Sequence, residues 1–261
     1  MGRFATTVAL YEELRTPYPP SFFREVAQRL ALGKLHALID LGTGPGLLAL
    51  GFAPYVGRIV GVDPEPAMLV AAEKAAERAS QDFTLIQGNA EDLKPEDLLN
   101  DFGRFDVVTI GRALHWMDRE ATLARLECMV APAGVILVCA SYSARDGQNP
   151  WLDNYNAARR AWSKESLWSE SVSAGRAHRD LAGFFRGTRF HAADVIRVET
   201  SHEVSVRDLA RRVLTFSSSS PDVLGDNSDA MLRDVEQRLL PLSRDGWITE
   251  VVAATAQEVR R

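Results

Sequence analysis

The sequence predicts an α/β protein: a doubly wound, mostly parallel sheet with a helical lid. Three observations carry that expectation. From residue 37 to about residue 142, short runs rich in Val, Ile and Leu alternate with helical patterns, as in a chain of βαβ units. The first run leads directly into a glycine-rich turn, "LGTGPG". Beyond residue 142 the alternation yields to an aromatic-rich stretch of helical pattern. Right-handed crossovers would then put a ligand crevice at the carboxyl ends of the strands.

Taken in order, "FATTVALYEELRTPYPPSFFREVAQRLAL" is a leader in which the Tyr18-Pro19-Pro20 turn precedes a helix capped by Ser21. Five strands follow at 37–42, 57–63, 83–89, 105–111 and 134–141. Between them, "LLALGFAPYV" and "PAMLVAAEKAAERAS" are helical, the second with a proline in its first turn and Asp63 available as its cap. "DREATLARLECMVAP" is expected to take Asp118 as N-cap and to stop at Pro132-Ala133-Gly134. Farther on, "DVIRVETSHEVSV" alternates like a strand, "RDLARRVLTF" and "DAMLRDVEQRLLPL" are helical, and "GWITEVVAATAQEV" is a last strand. The expected organisation is a leader (1–36), a ligand-binding core (37–142), a helical lid and substrate region (143–190), and C-terminal strands and helices that complete the sheet (191–261).

Composition narrows the function. The chain has 261 residues, 46% of them hydrophobic, enough for a sizeable core. A formal charge of -5 and the lack of a long basic run make nucleic acid a poor partner. No apolar run approaches the ~20 residues that span a bilayer, and no charged start leads into an apolar segment, so a soluble, cytoplasmic protein without a membrane partner is expected. Cys128 and Cys139 sit in apolar segments without C-x-x-C or His spacing, which reads as reduced core packing and not as a metal site.

The glycine turn points to a ligand. A dinucleotide fingerprint wants G-x-G-x-x-G, because backbone N–H groups at a helix start must meet a pyrophosphate. Here the glycines are Gly42, Gly44 and Gly46, and Leu47 stands where the third glycine would be. Pro45 removes one backbone donor and Asp40 brings a carboxylate to the mouth, both unfavourable for phosphate. A cationic ligand suits the loop better. S-adenosyl-L-methionine has an ammonium, a sulfonium, a ribose diol and an adenine, but no phosphate. Asp40 is placed to attract the ammonium, directly or through water, and the glycines let the amino-acid tail lie against the backbone. Asp63, about twenty residues on, suits the ribose diol, or caps the next helix, or does both. In "GNAED", the Ala90 backbone and Glu91 or Asp92 are offered to the exocyclic amine of adenine, with Met68 and Ile110 on the two faces of the ring.

Four segments in order, "LIDLGTGPG", "VGVDPEPAML", "GNAEDL" and "FDVVTIGRALHWMD", resemble the motifs of the seven-stranded S-adenosylmethionine-dependent methyltransferases. Within that Rossmann-like superfamily, "YEELRTPYPPSFF" with "ALHWMD" is similar to the small-molecule branch related to trans-aconitate and natural-product N- and O-methyltransferases. The resemblance implies seven strands, the last inserted antiparallel. It also brings Thr43, Pro64 and Asn89, which lie within these motifs, into the cofactor-binding set. In the enzymes it resembles the leader folds over the cofactor, which brings Tyr11 and Tyr18 near a sulfonium that aromatic faces or phenolic oxygens stabilise. The alternative is that the two tyrosines anchor the leader helix.

The catalytic candidates are His115, Tyr11 and Arg112. His115 is either a general base for the acceptor or a pocket-lining histidine beside Trp116. Arg112 either orients an anionic or carbonyl-bearing substrate or pairs with a surface acid. The expected reaction moves a methyl group to N or O, a carboxylate included, of a small-molecule acceptor by in-line displacement, with no metal. Other readings are a non-catalytic binder of the same cofactor and a methyltransferase of RNA or protein, which the acidic balance and the enclosed lid disfavour.

Overall fold

The computed structural model describes Leu10 and residues 13–164, 166–169 and 180–261. The chain divides into two compact units. The glycine-loop unit comprises residues 18–140, 174–198 and 254–261, and the helical unit residues 1–17, 141–173 and 199–253.

Seven strands form one sheet in the order β3-β2-β1-β4-β5-β7-β6. They are β1 (Ala37–Leu41), β2 (Arg58–Asp63), β3 (Thr84–Gln87), β4 (Phe105–Gly111), β5 (Val130–Ser143), β6 (His191–Ser205) and β7 (Trp247–Arg260). The ladders β1·β2, β1·β4, β2·β3 and β4·β5 are all parallel. The order reverses between β1 and β4, the switch point where such sheets open a crevice. The last strand of the chain lies between β5 and β6, in line with the inserted seventh strand expected from the resemblance.

In the glycine-loop unit both faces of the sheet are buried, because successive strand residues point to opposite sides and nearly all are apolar. Ile39, Leu41, Val108, Ile110, Ile136 and Val138 belong to one core cluster. Leu38, Val107, Val135, Leu137 and Cys139 belong to the other, which places Cys139 in core packing as expected, whereas Cys128 is only half-buried and outside the core clusters. The helices of this unit are α1 (Pro20–Arg29), α2 (Leu47–Phe52), α3 (Pro66–Arg78), α4 (Pro95–Phe102), α5 (Arg119–Met129) and α7 (Leu181–Phe184). In the helical unit, α6 (Leu152–Trp162), α8 (Val206–Arg212), α9 (Pro221–Leu224) and α10 (Ser228–Leu239) gather Trp151, Tyr155, Leu209, Val213, Met231 and Val235 into a separate core. No helix of the described residues is long and apolar enough to cross a membrane.

Several local expectations need correction. Helix α1 begins at Pro20 with Pro19 as its N-cap and no side-chain cap bond, so Ser21 lies inside the helix and does not cap it. Asp63 does not cap α3 either; Glu65 stands at that position, and the Asp63 carboxylate serves the glycine loop. Asp118 does cap α5, accepting from Ala121 N–H at 2.8 Å. Pro132 does not end α5: the backbone is already extended at Val130, where β5 starts. Register along β4 jumps from Phe105↔Val130 to Val107↔Val135, so Pro132 lies in a bulge, where its missing N–H leaves no ladder bond unmade. Helix α4, in "PEDLLNDF", was absent from the sequence reading because eight residues give too few turns for a clear period.

Candidate active site

The carboxyl ends of β1, β2, β3 and β4, adjacent in the sheet, each lead into a candidate segment. After β1, Gly42, Gly44 and Gly46 all take left-handed backbone, with φ of 71, 54 and 82°. Only glycine enters that region without strain, so three of five consecutive residues specify the turn. Gly42 has a second reason: a Cβ there would stand 2.5 Å from Ala113 Cβ, beyond the end of β4. The N–H groups of Gly42 and Thr43 both donate to Val62 O at 2.9 Å, and Gly44 N–H donates to Asp63 Oδ2 at 2.8 Å. Asp63 thus braces the loop from the end of β2, while its Oδ1 accepts from Glu65 N–H at 2.9 Å. Burial raises the Asp63 pKa, and the two backbone donors oppose it. Met68 of α3 is buried, and its Sδ lies 4.0 Å from where a Cβ on Gly44 would be. Pro64 is exposed between them.

Asp40 lies beneath the loop, 1% exposed. Its Oδ2 accepts from Thr43 Oγ1 at 2.8 Å and its Oδ1 from Thr109 Oγ1 at 2.7 Å. Burial pushes its pKa up to about 6, with the two threonine hydroxyls working against that. The carboxylate therefore faces two hydroxyls rather than open solvent. Thr109, fully buried in β4, was not singled out from the sequence; a lone hydroxyl in the apolar run "FDVVTIG" was the available signal.

Beyond β3, Ala90 is buried at the start of a 3₁₀ turn over Ala90–Asp92. Asn89 is exposed and its Nδ2 donates to Asp92 Oδ2 at 2.6 Å, while Glu91 O accepts from Arg125 Nε of α5 at 3.1 Å. Ile110 is fully buried in the sheet core. At the end of β4, Gly111 was also overlooked: a Cβ there would meet Leu48 Cδ1 of α2 at 2.5 Å and Tyr18 Oη at 3.5 Å.

Of the catalytic candidates, Arg112 is held at φ 59°, uncommon for a residue with a side chain, and its guanidinium lies 5.1 Å from the Tyr18 ring. Tyr18 itself packs on Phe22 of α1, ring centroids 5.4 Å apart. The half-buried His115 lies in the 3₁₀ turn Leu114–Trp116, its ring 4.7 Å from that of Trp116. Tyr11 lies outside the described residues.

Residues 39–138, the segment that carries this whole arrangement from Asp40 to Trp116, match the family model described as a methyltransferase domain. Around it the chain is similar to an uncharacterized methyltransferase of Bacillus subtilis, YcgJ, at 32% identity over 46% of this chain and 45% of that protein. It is also similar to the uncharacterized methyltransferase C25B8.09 of Schizosaccharomyces pombe, at 25% identity over 84% of this chain and 80% of that one. For the first two curated relatives the matched region spans less than half of their length, 42% and 45%. An S-adenosylmethionine-dependent methyltransferase of Geobacter sulfurreducens, solved with S-adenosyl-L-homocysteine, shares the fold with a TM-score of 0.55, covering 100% of this chain and 99% of that one at 18% identity.

Proposed function

We propose that this chain is an S-adenosylmethionine-dependent methyltransferase that methylates N or O on a small-molecule acceptor in the cytoplasm. The observation that carries the reading is the turn after β1: three left-handed glycines interrupted by Pro45, underlain by Asp40 and braced by Asp63. That donor set suits a cation. Pro45 cannot donate and the Gly44 N–H is already given to Asp63, so little remains to satisfy a pyrophosphate, whereas two carboxylates are at hand. Among the described residues, only Met68 Sδ comes within 4.0 Å of the missing Cβ of Gly44, leaving room for an amino-acid tail against the backbone. The methyltransferase-domain match over the same residues supports the reading.

Each residue then has a task. Asp40, nearly inaccessible, acts on the ligand's ammonium by its field or through an intervening water, and it orients Thr43. Asp63 keeps a lone pair on each oxygen for the ribose hydroxyls while bracing the loop. Ala90 and Glu91 face the adenine amine, with Met68 flanking the ring and Pro64 and Asn89 at its margins; Ile110, fully buried in the sheet core, does not offer the second face expected of it. Tyr18 borders the sulfonium end. When bound, the cofactor supplies an already activated methyl group, so the protein's contribution is to align the acceptor behind it and exclude water. His115 takes the acceptor proton where one must leave, and Arg112 orients a carbonyl or acidic group.

Calorimetric titration of the protein with S-adenosyl-L-homocysteine tests the binding half. Incubation with methyl-labelled donor and amine, phenol and carboxylic acid acceptors tests the chemistry. Saturable binding and label transfer to a small molecule are expected. No heat with either form of the cofactor would overturn the proposal, and transfer to RNA or protein alone would overturn its acceptor.

A further inference from the structure

Among the described residues, no carboxylate bonds Arg159 in the helical unit. Arg159 lies one turn after Tyr155 on α6, so both side chains share a face. Its Cζ sits 3.6 Å from the centroid of Phe216 and 5.8 Å from those of Tyr155 and Trp168. Its one side-chain hydrogen bond among the described residues is from Nη1 to Asn156 Oδ1, at 3.3 Å. Arg159 Nε and Tyr155 Oη are both buried and lack a hydrogen-bond partner among the described residues. Burial lowers the Arg159 pKa, the Tyr155 hydroxyl opposing this and Arg145 adding to it. A guanidinium does not give up its proton at such a site, so the charge persists.

Glu250, whose charge acts on Tyr155, is already committed. Glu250 binds Arg212 through two bonds of 2.7 and 2.9 Å, accepts from Ser143 at 2.6 Å, and faces His202 at 3.2 Å. Meanwhile Arg15 lies over the same Phe216 ring at 4.3 Å, adding positive charge. Desolvated donors are costly to leave unmet, and a buried hydroxyl beside an unmatched guanidinium offers the complement of a planar oxyanion. Arg159 as a residue is half-buried. The rings of Phe216 and Trp168 would border an apolar body.

We propose that Arg159 and Tyr155 form an anion subsite that holds the carboxylate of a small, apolar carboxylic acid. Arg159 donates to one or both oxygens, Tyr155 Oη donates to one, and the aromatic rings cover the apolar part.

The test is calorimetric titration of the full chain, saturated with S-adenosyl-L-homocysteine, with benzoate, hexanoate and inorganic phosphate. Saturable binding of a carboxylate probe is expected, weakened about tenfold or more in Arg159→Met and several-fold in Tyr155→Phe, with S-adenosyl-L-homocysteine affinity unchanged in both. The ligand-free Arg159→Met protein should melt no lower than the parent, since the substitution removes an unmatched charge. If Arg159→Met does not fold, Tyr155→Phe, which deletes only a hydroxyl, carries the test. Binding of neither carboxylate, or equal binding by parent and variants, overturns the subsite. So does a lower melting temperature for Arg159→Met with probe affinity intact, which would make the cation–aromatic stack structural. Carboxylate binding without S-adenosyl-L-homocysteine binding would instead sink the methyltransferase reading and leave the subsite standing.

Discussion

Asp40 is ionised at neutral pH only against the preference of its surroundings. Its pKa of about 6, against an ordinary 3.8, corresponds to about 3 kcal/mol by which folding disfavours the charged form. The sign follows from linkage: the penalty is fully present above about pH 6, shrinks as the pH falls toward 3.8, and is gone below that. A cationic ligand reverses the balance, because it favours the carboxylate. Asp40→Asn should therefore leave the ligand-free protein at least as stable at pH 7.5, remove the Asp40 contribution to its pH dependence between 3.8 and about 6, and weaken S-adenosyl-L-homocysteine binding. Thermal melts across pH with parallel titrations check this; a variant clearly less stable at pH 7.5 would contradict it. Gly42 makes a sharper case. Gly42→Ala forces a Cβ to 2.5 Å from Ala113 Cβ at a φ of 71°, so a stability loss of about 1–3 kcal/mol and a large loss of ligand affinity are expected from denaturant unfolding and calorimetry. Unchanged affinity would remove the loop from the site.

Helix α5 separates a structural role from the chemical ones. Asp118 accepts from Ala121 N–H at its start and lies outside the cofactor-binding set. Asp118→Ala should cost about 1 kcal/mol in chemical denaturation and leave cofactor affinity untouched. A loss of affinity would show that α5 positions the site. Elements of this kind were legible where their signals are local: Asp118 preceding a helical period, left-handed glycines between a strand and a helix, and period-two apolar runs. They were illegible where a neighbour overrides the local signal. Asp63 carries a cap residue's chemistry, yet its carboxylate turns to Gly44 and Glu65, because the glycine loop comes within 2.8 Å of it. Pro132 looks like a stop, yet the bulge opposite Asp106 absorbs it into β5.

For the molecule as a whole, the helical unit depends on a buried ion pair. Burial pushes the Glu250 pKa up, but His202, Arg212 and Ser143 outweigh it and bring the value down to about 2 from 4.5. Stability from this group is complete above pH 4.5 and lost as the pH falls through about 2, on the order of 3 kcal/mol in all. Glu250→Gln removes the carboxylate charge that Arg212 binds and should destabilise the protein by about 3–5 kcal/mol at pH 7, with an unfolding curve less sensitive to acid. A loss below about 1 kcal/mol would mean the pair is dispensable. The alternating strands, the glycine turn and the acids flanking it were readable along the chain, because backbone conformation and apolar period are set by near neighbours. Which hydroxyl secures Asp40 depends on Thr109, 69 residues away, and which cation Glu250 holds depends on Arg212, 38 residues away. Burial and charge pairing are properties of packed side chains from distant segments, so only the folded chain assigns them.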